Sequence, residues 1–155
     1  LENNKNGFYP YTPAISLLYG LDEAINMLLE EGLDNVFARH KRHAEATRLA
    51  VEAWGLEILA KNPVERSDSI TAILIPEGHD SDSLRKIIYD NYDMSLGTGL
   101  NKVKGKVFRI GHMGDLNDLT LAGTLAGVEM GLKQSGIPYK NGGVMAALNF
   151  LSGKN

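Results

Sequence analysis

Cysteine is absent from all 155 residues, and with it every disulfide and every thiolate metal site; that composition fits the cytosol. Charge of neither sign accumulates. Sixteen Lys and Arg stand against 19 Asp and Glu, for a formal charge of -3, and no run of like charge exceeds a few residues. Nucleic acid and an anionic membrane are therefore disfavoured as partners. No apolar stretch approaches the roughly 20 residues that span a bilayer. The first residues, Leu1 to Asn6, are polar, begin without Met and lead into no apolar segment of a targeting peptide. A chain that opens this way reads as a fragment or a processed product. Internal repeats and low-complexity tracts are also missing. What is present suffices for a real core: 43% hydrophobic and 23% charged residues, at a length that fits one domain or one domain plus a piece of another.

Residues 1–11 read as extended and irregular, with Phe8, Tyr9 and Tyr11 interrupted by Pro10. Thr12-Pro13 predicts a helix start, Thr12 as N-cap and Pro13 at the first helical position. Leu18, Leu21, Ile25 and Leu28 follow at helical spacing as far as Gly32. Asp34 is expected to cap a second helix running to Trp54-Gly55, with Arg39, Lys41, Arg42 and Arg48 on its polar side. Strands are expected at Leu56–Leu59, Thr71–Ile75 and Lys106–Gly111. Asp80 caps a helix containing Leu84, Ile87, Ile88 and Tyr92. Asp115 and Asp118 open a long one with Leu121, Leu125, Val128 and Leu132 on one face. Gly123, Gly127 and Gly131, four apart on it, predict close packing onto a sheet, since glycine otherwise costs up to about 1 kcal/mol in a helix interior. Residues 138–155 form a tail with one weakly apolar piece. The resulting expectation is an α+β fold, a two-layer small domain with a mainly antiparallel sheet of about three strands and helices on one face, preceded by a long helical arm.

Two places could hold an anion. Tyr9 and Thr12 precede a helix whose unpaired N–H groups favour phosphate; equally, Thr12 is only a cap and the aromatics only pack. Arg109 lies mid-strand, on the face opposite Phe108 and Ile110. A guanidinium on a rigid strand beside glycines suits bidentate capture of a carboxylate, though an exposed strand arginine would read the same. The glycines at 97, 99 and 105 make a turn or a close backbone approach, not a dinucleotide fingerprint, because a strand follows them. His40 and His43 sit three apart on a polar helix face without a third ligand nearby, which argues against a metal site. His112 either lines the Arg109 cleft or makes a structural hydrogen bond. None of the ten lysines has the small, apolar, loop-like setting of a Schiff-base lysine.

Several stretches together closely resemble the corresponding regions of serine–glyoxylate aminotransferases, and more loosely alanine–glyoxylate aminotransferases and the wider class V, fold type I group. They are Phe8-Tyr9-Pro10-Tyr11-Thr12-Pro13, Leu17 to Leu21, Glu30 to His40, Asp93 to Leu100 and Gly105 to Asp115. The resemblance covers nearly the whole chain. It implies that the full-length protein is a homodimeric, cytoplasmic, pyridoxal-5'-phosphate-dependent aminotransferase that moves an amino group from serine or alanine to glyoxylate. It further implies that Tyr9 and Thr12 contact the cofactor phosphate of the partner subunit and that Arg109 pairs with the substrate's α-carboxylate. In the family, the Schiff-base lysine, the aspartate facing the pyridine nitrogen and the stacking aromatic precede this region, so the chain alone is expected to hold no cofactor and to be inactive. On this view residues 1–33 end the large domain and begin the helical connector, 34–137 are the C-terminal small domain, and 138–155 are the tail. Two other readings stay open: another class V enzyme, of the phosphoserine aminotransferase or cysteine desulfurase type, and a free-standing non-catalytic dimerisation or ligand-binding domain.

Overall fold

The computed structural model describes residues 2–153; Leu1, Lys154 and Asn155, which the segments 1–33 and 138–155 include, lie outside the described residues. The chain divides into two compact units with the boundary between Phe37 and Ala38.

The first unit opens with a single helical turn, α1 (Glu2–Lys5), where the sequence suggested only irregular chain. Helix α2 spans Ile15–Glu31, so Thr12 and Pro13 do not start it. The Pro13 carbonyl accepts the Ile15 N–H at 2.9 Å. That tight turn delays the helical ladder and leaves Ala14 at the N-cap without any side-chain hydrogen bond. Gly32 ends α2, its N–H donating to the Leu28 carbonyl at 3.0 Å, and helix α3 (Leu33–Trp54) follows at once. Asp34 thus sits inside the first turn of α3 rather than capping it, a position where its charge still suits the helix dipole. No residue of α2 is buried: Leu18, Leu21, Ile25 and Leu28 form the apolar stripe that the spacing predicted, yet each is 38–56% exposed.

The second unit is an α+β layer pair, as its alternating patterns required. Strands β1 (Glu57–Ile58), β2 (Ile70–Leu74), β3 (Gly97–Thr98) and β4 (Val107–Gly111) form one antiparallel sheet in the order β1-β2-β4-β3. The fourth strand is the short β3, inside the segment read from sequence as a glycine-broken loop. Helices α4 (Ser81–Tyr92), α5 (Asp118–Ser135) and α6 (Gly143–Leu151) complete the unit. Alternation along the two central strands decides the layers. Ile73, Phe108 and Ile110 point into a core closed by Ala46, Ala50, Trp54, Leu84, Ile88, Leu121, Leu125, Val128 and Leu132. Asp80 caps α4 as expected, accepting N–H bonds from Asp82 and Ser83. The cap of α5, by contrast, is Asn117, which accepts from the Thr120 N–H at 2.9 Å.

Of the three glycines of α5, Gly131 packs against helix α4 and Gly127 against Met94 just after it, not against the sheet. A Cβ on Gly131 would overlap the Ile88 side chain, and one on Gly127 would come within 2.7 Å of Met94, whereas Gly123 faces open space. The basic face of α3 is not a solvated stripe either. Arg42 makes a two-pronged bond to Asp118 (2.7 and 2.7 Å) and donates to the Leu151 carbonyl. Arg39 donates to the Gly114 carbonyl at 2.7 Å, and Arg48 to the Ser67 carbonyl at 2.8 Å. These arginines tie α3 to the loops before β2 and α5.

Candidate functional site

Arg109 occupies the middle of β4, paired on one side with Ala72 of β2 and on the other with Gly97 of β3. Because Phe108 and Ile110 are fully buried, Arg109 lies on the sheet face turned away from the helices, where it is half-buried. Both cross-strand neighbours are small. Gly97 leaves the room the arginine uses: a Cβ there would stand 3.0 Å from the Arg109 Cβ and 3.1 Å from its Nε, and the side chain would have to shift. The side chain therefore crosses directly over Gly97, and its Nε–H donates to the Thr98 carbonyl at 2.9 Å. Among the described residues nothing engages Nη1 or Nη2, and no carboxylate pairs with the guanidinium. Two parallel N–H donors on a strand anchored in the core are what a planar carboxylate accepts.

Beside this strand the structure gathers a set of side chains that sequence reasoning missed. Thr98 Oγ1 and Arg85 Nη1 both donate to Asp82 Oδ1, each at 2.9 Å, and Arg85 Nε donates to the Leu96 carbonyl at 2.8 Å. The signal available in the sequence was Thr98 itself, a hydroxyl residue held between two glycines. Of the three glycines in this segment, Gly97 makes room for a side chain, Gly99 lies against the Val103 and Val107 backbone, a close backbone approach as expected, and Gly105 turns the chain at positive φ.

His112, immediately after β4, takes the structural option. It is wholly buried: the ring Nδ1 lies 3.0 Å from the Asp68 carbonyl and so must donate to it, leaving Nε2 to accept from Thr71 Oγ1 at 2.9 Å. Burial pushes its pKa down to about 4, so the ring is neutral at physiological pH. His43 is likewise buried rather than on a polar face, with Nε2 3.0 Å from Asp118 Oδ1. The Arg42 and His43 bonds together hold the Asp118 carboxyl down to about 2. His40 accepts the Gly114 N–H at 3.2 Å. Each of these histidines has a use within the fold, and among the described residues no three His, Cys, Asp or Glu side chains gather as a metal would require.

In the first unit Tyr9 is 62% exposed and Thr12 is also exposed. With α2 starting at Ile15, the Thr12 hydroxyl is not spent on capping a helix.

No protein-family model matches the chain. Among curated proteins it is 53% identical over 151 residues to the serine–glyoxylate aminotransferase of Methylorubrum extorquens, covering 97% of this chain and 38% of that protein. It is 51% identical over 153 residues to the serine–glyoxylate aminotransferase of Hyphomicrobium methylovorum, covering 98% and 38%. Among solved structures, the pyridoxamine–pyruvate aminotransferase of Mesorhizobium loti superimposes with a TM-score of 0.87 at 32% identity, over 95% of this chain and 38% of that one. The chain thus spans little more than a third of the length of the proteins it matches. Identity of this order over nearly every residue, together with the shared antiparallel fold, means that the chain belongs to the serine–glyoxylate and alanine–glyoxylate aminotransferase family, of which it represents the C-terminal part.

Proposed function

We propose that the full-length protein containing this chain is a cytoplasmic, homodimeric, pyridoxal-phosphate-dependent aminotransferase that passes an amino group from serine, or alanine, to glyoxylate. The observation that carries this reading is the free pair of Arg109 Nη groups on the open face of the sheet, beside Gly97. The cofactor would supply the electron sink that amino-group transfer needs. Arg109 would receive the donor's α-carboxylate through two parallel N–H bonds and so fix which way the α-carbon faces. Tyr9 and Thr12 would donate their hydroxyls to the cofactor phosphate of the partner subunit, an assignment supported by their exposure and by the absence of a capping role for Thr12. The chain on its own, without the segment in which the family carries its Schiff-base lysine, would turn nothing over.

Kinetics on the full-length protein test the carboxylate assignment. Arg109→Gln removes both charge-assisted bonds, together worth about 3–5 kcal/mol when one partner is truncated. At 1.36 kcal/mol per factor of ten, kcat/KM for serine should fall by about two to four orders of magnitude. A Gln variant that keeps parental kcat/KM for serine would remove the basis of the proposal.

A further inference from the structure

We propose that Asp82 and Thr98 are positioning residues for the Arg109 guanidinium, acting through the edge strand β3. The inference rests on the reading of Arg109 as the carboxylate receptor and adds to it which residues aim the receptor.

Strand β3 has only two paired residues, Gly97 opposite Arg109 and Thr98 opposite Phe108, and it lies at the edge of the sheet. So short an edge has little hold of its own. Yet its Thr98 carbonyl is the acceptor for Arg109 Nε, and its Gly97 backbone is the floor over which the side chain runs. A shift of β3 would therefore turn the guanidinium and point both Nη groups elsewhere.

Helix α4 supplies the missing hold. Leu84 and Ile88 fix the helix in the core. From its first turn, Asp82 Oδ1 accepts the Thr98 hydroxyl on one side of Gly97, while Arg85 Nε holds the Leu96 carbonyl on the other and Arg85 Nη1 steadies the same Asp82 oxygen. Thr98 Oγ1 has a second acceptor, the Gly99 carbonyl, but at 3.2 Å against 2.9 Å to Asp82. The side chains of Asp82 and Arg85 are 34% and 27% exposed, so water competes only in part for these bonds. Orientation thus passes from the packed helix through Asp82 and Thr98 to Arg109, leaving the two Nη groups for the ligand.

The test uses the full-length enzyme with Thr98→Val, Thr98→Ser and Asp82→Ala, and Arg109→Lys as the reference. Serine is compared with serinamide, which lacks the carboxylate. Asp82→Ala is chosen because Oδ1 alone accepts both bonds, and the amide oxygen of an asparagine would keep them. Thr98→Val and Asp82→Ala should each raise KM for serine about tenfold, the loss of roughly one well-placed charge-assisted bond. The serinamide rate should stay at its parental value, and Thr98→Ser should behave as the parent. A crystal structure of the Thr98→Val enzyme should show the contact from Arg109 Nε to the carbonyl of residue 98, 2.9 Å here, opened beyond hydrogen-bond range. Asp82→Ala removes the acceptor without adding bulk and provides the measurement if Thr98→Val fails to fold. Parental serine KM in Arg109→Lys would overturn the carboxylate reading itself. Weakened serine binding in Arg109→Lys alongside parental values in Thr98→Val and Asp82→Ala would overturn only the positioning role. Equal losses for serine and serinamide would also overturn it, because they would mark a general structural defect.

Discussion

Glu129 holds helix α6 to the second unit, and changing it should be readable through the one tryptophan in the chain. Its carboxylate accepts three N–H bonds: Trp54 Nε1 at 2.7 Å, the Val144 amide at 3.0 Å and the Gly142 amide at 3.2 Å. Burial alone would raise the Glu129 pKa, but the bonds from Trp54, Val144 and Gly142 outweigh it and leave the group below its ordinary range. Oε2 alone accepts from Trp54 and Val144, so a glutamine could keep both bonds, whereas Glu129→Leu removes both acceptor oxygens at similar volume. A buried indole N–H left unpaired costs about 1–3 kcal/mol, and a lost helix cap about 1 kcal/mol more. The expected loss is about 3 kcal/mol of stability, concentrated where α6 meets Trp54. Trp54 is fully buried and is the only tryptophan, so its emission reports this contact without interference. Urea unfolding followed by fluorescence should show a lower midpoint and, before the main transition, emission shifted to the red as the indole meets water. An unchanged midpoint with unshifted native emission would refute the account of Glu129 as the hold on α6.

Acid should destabilise the second unit through His112. Its folded pKa of about 4 lies below the unfolded 6.5, so between those values the unfolded chain binds the proton and the folded one does not. Stability is then full above about pH 6.5 and falls by an amount on the order of 3 kcal/mol by pH 4; His112→Gln should flatten denaturation midpoints across that window, and an unaltered slope would count against the burial argument. Two glycines of α5 should respond oppositely to alanine. Gly123→Ala meets nothing within 4 Å and should gain up to about 1 kcal/mol of helix propensity. Gly131→Ala must displace the buried Ile88 and should lose about 1–2 kcal/mol net, so equal thermal shifts for the two variants would contradict the packing.

Much of the layer structure was legible because it follows from short-range periodicity. Alternation in Val107–Gly111 put Phe108 and Ile110 inside and Arg109 outside before any pairing was known, and Asp80 marked the start of α4 through a bond spanning only two or three residues. Thr12-Pro13 failed as a helix start for an equally local reason: the Pro13 carbonyl closed a turn on Ile15 first. His43 was misread because one helix's polar and apolar sides do not reveal that a partner carboxylate, Asp118, arrives 75 residues later and makes burial tolerable.

The sequence by itself thus determined the α+β class, the long helices apart from the start of α2, the central strands, the family, and Arg109 as the residue to watch, since each is written in nearest-neighbour pattern or in likeness to related chains. Only the tertiary structure decided that Gly97–Thr98 is a fourth strand, that its glycine makes room for the Arg109 side chain, and that Asp82 and Arg85 brace it. Those facts depend on which backbone segments come within about 3 Å of each other across the fold, a distance no periodicity along one segment encodes.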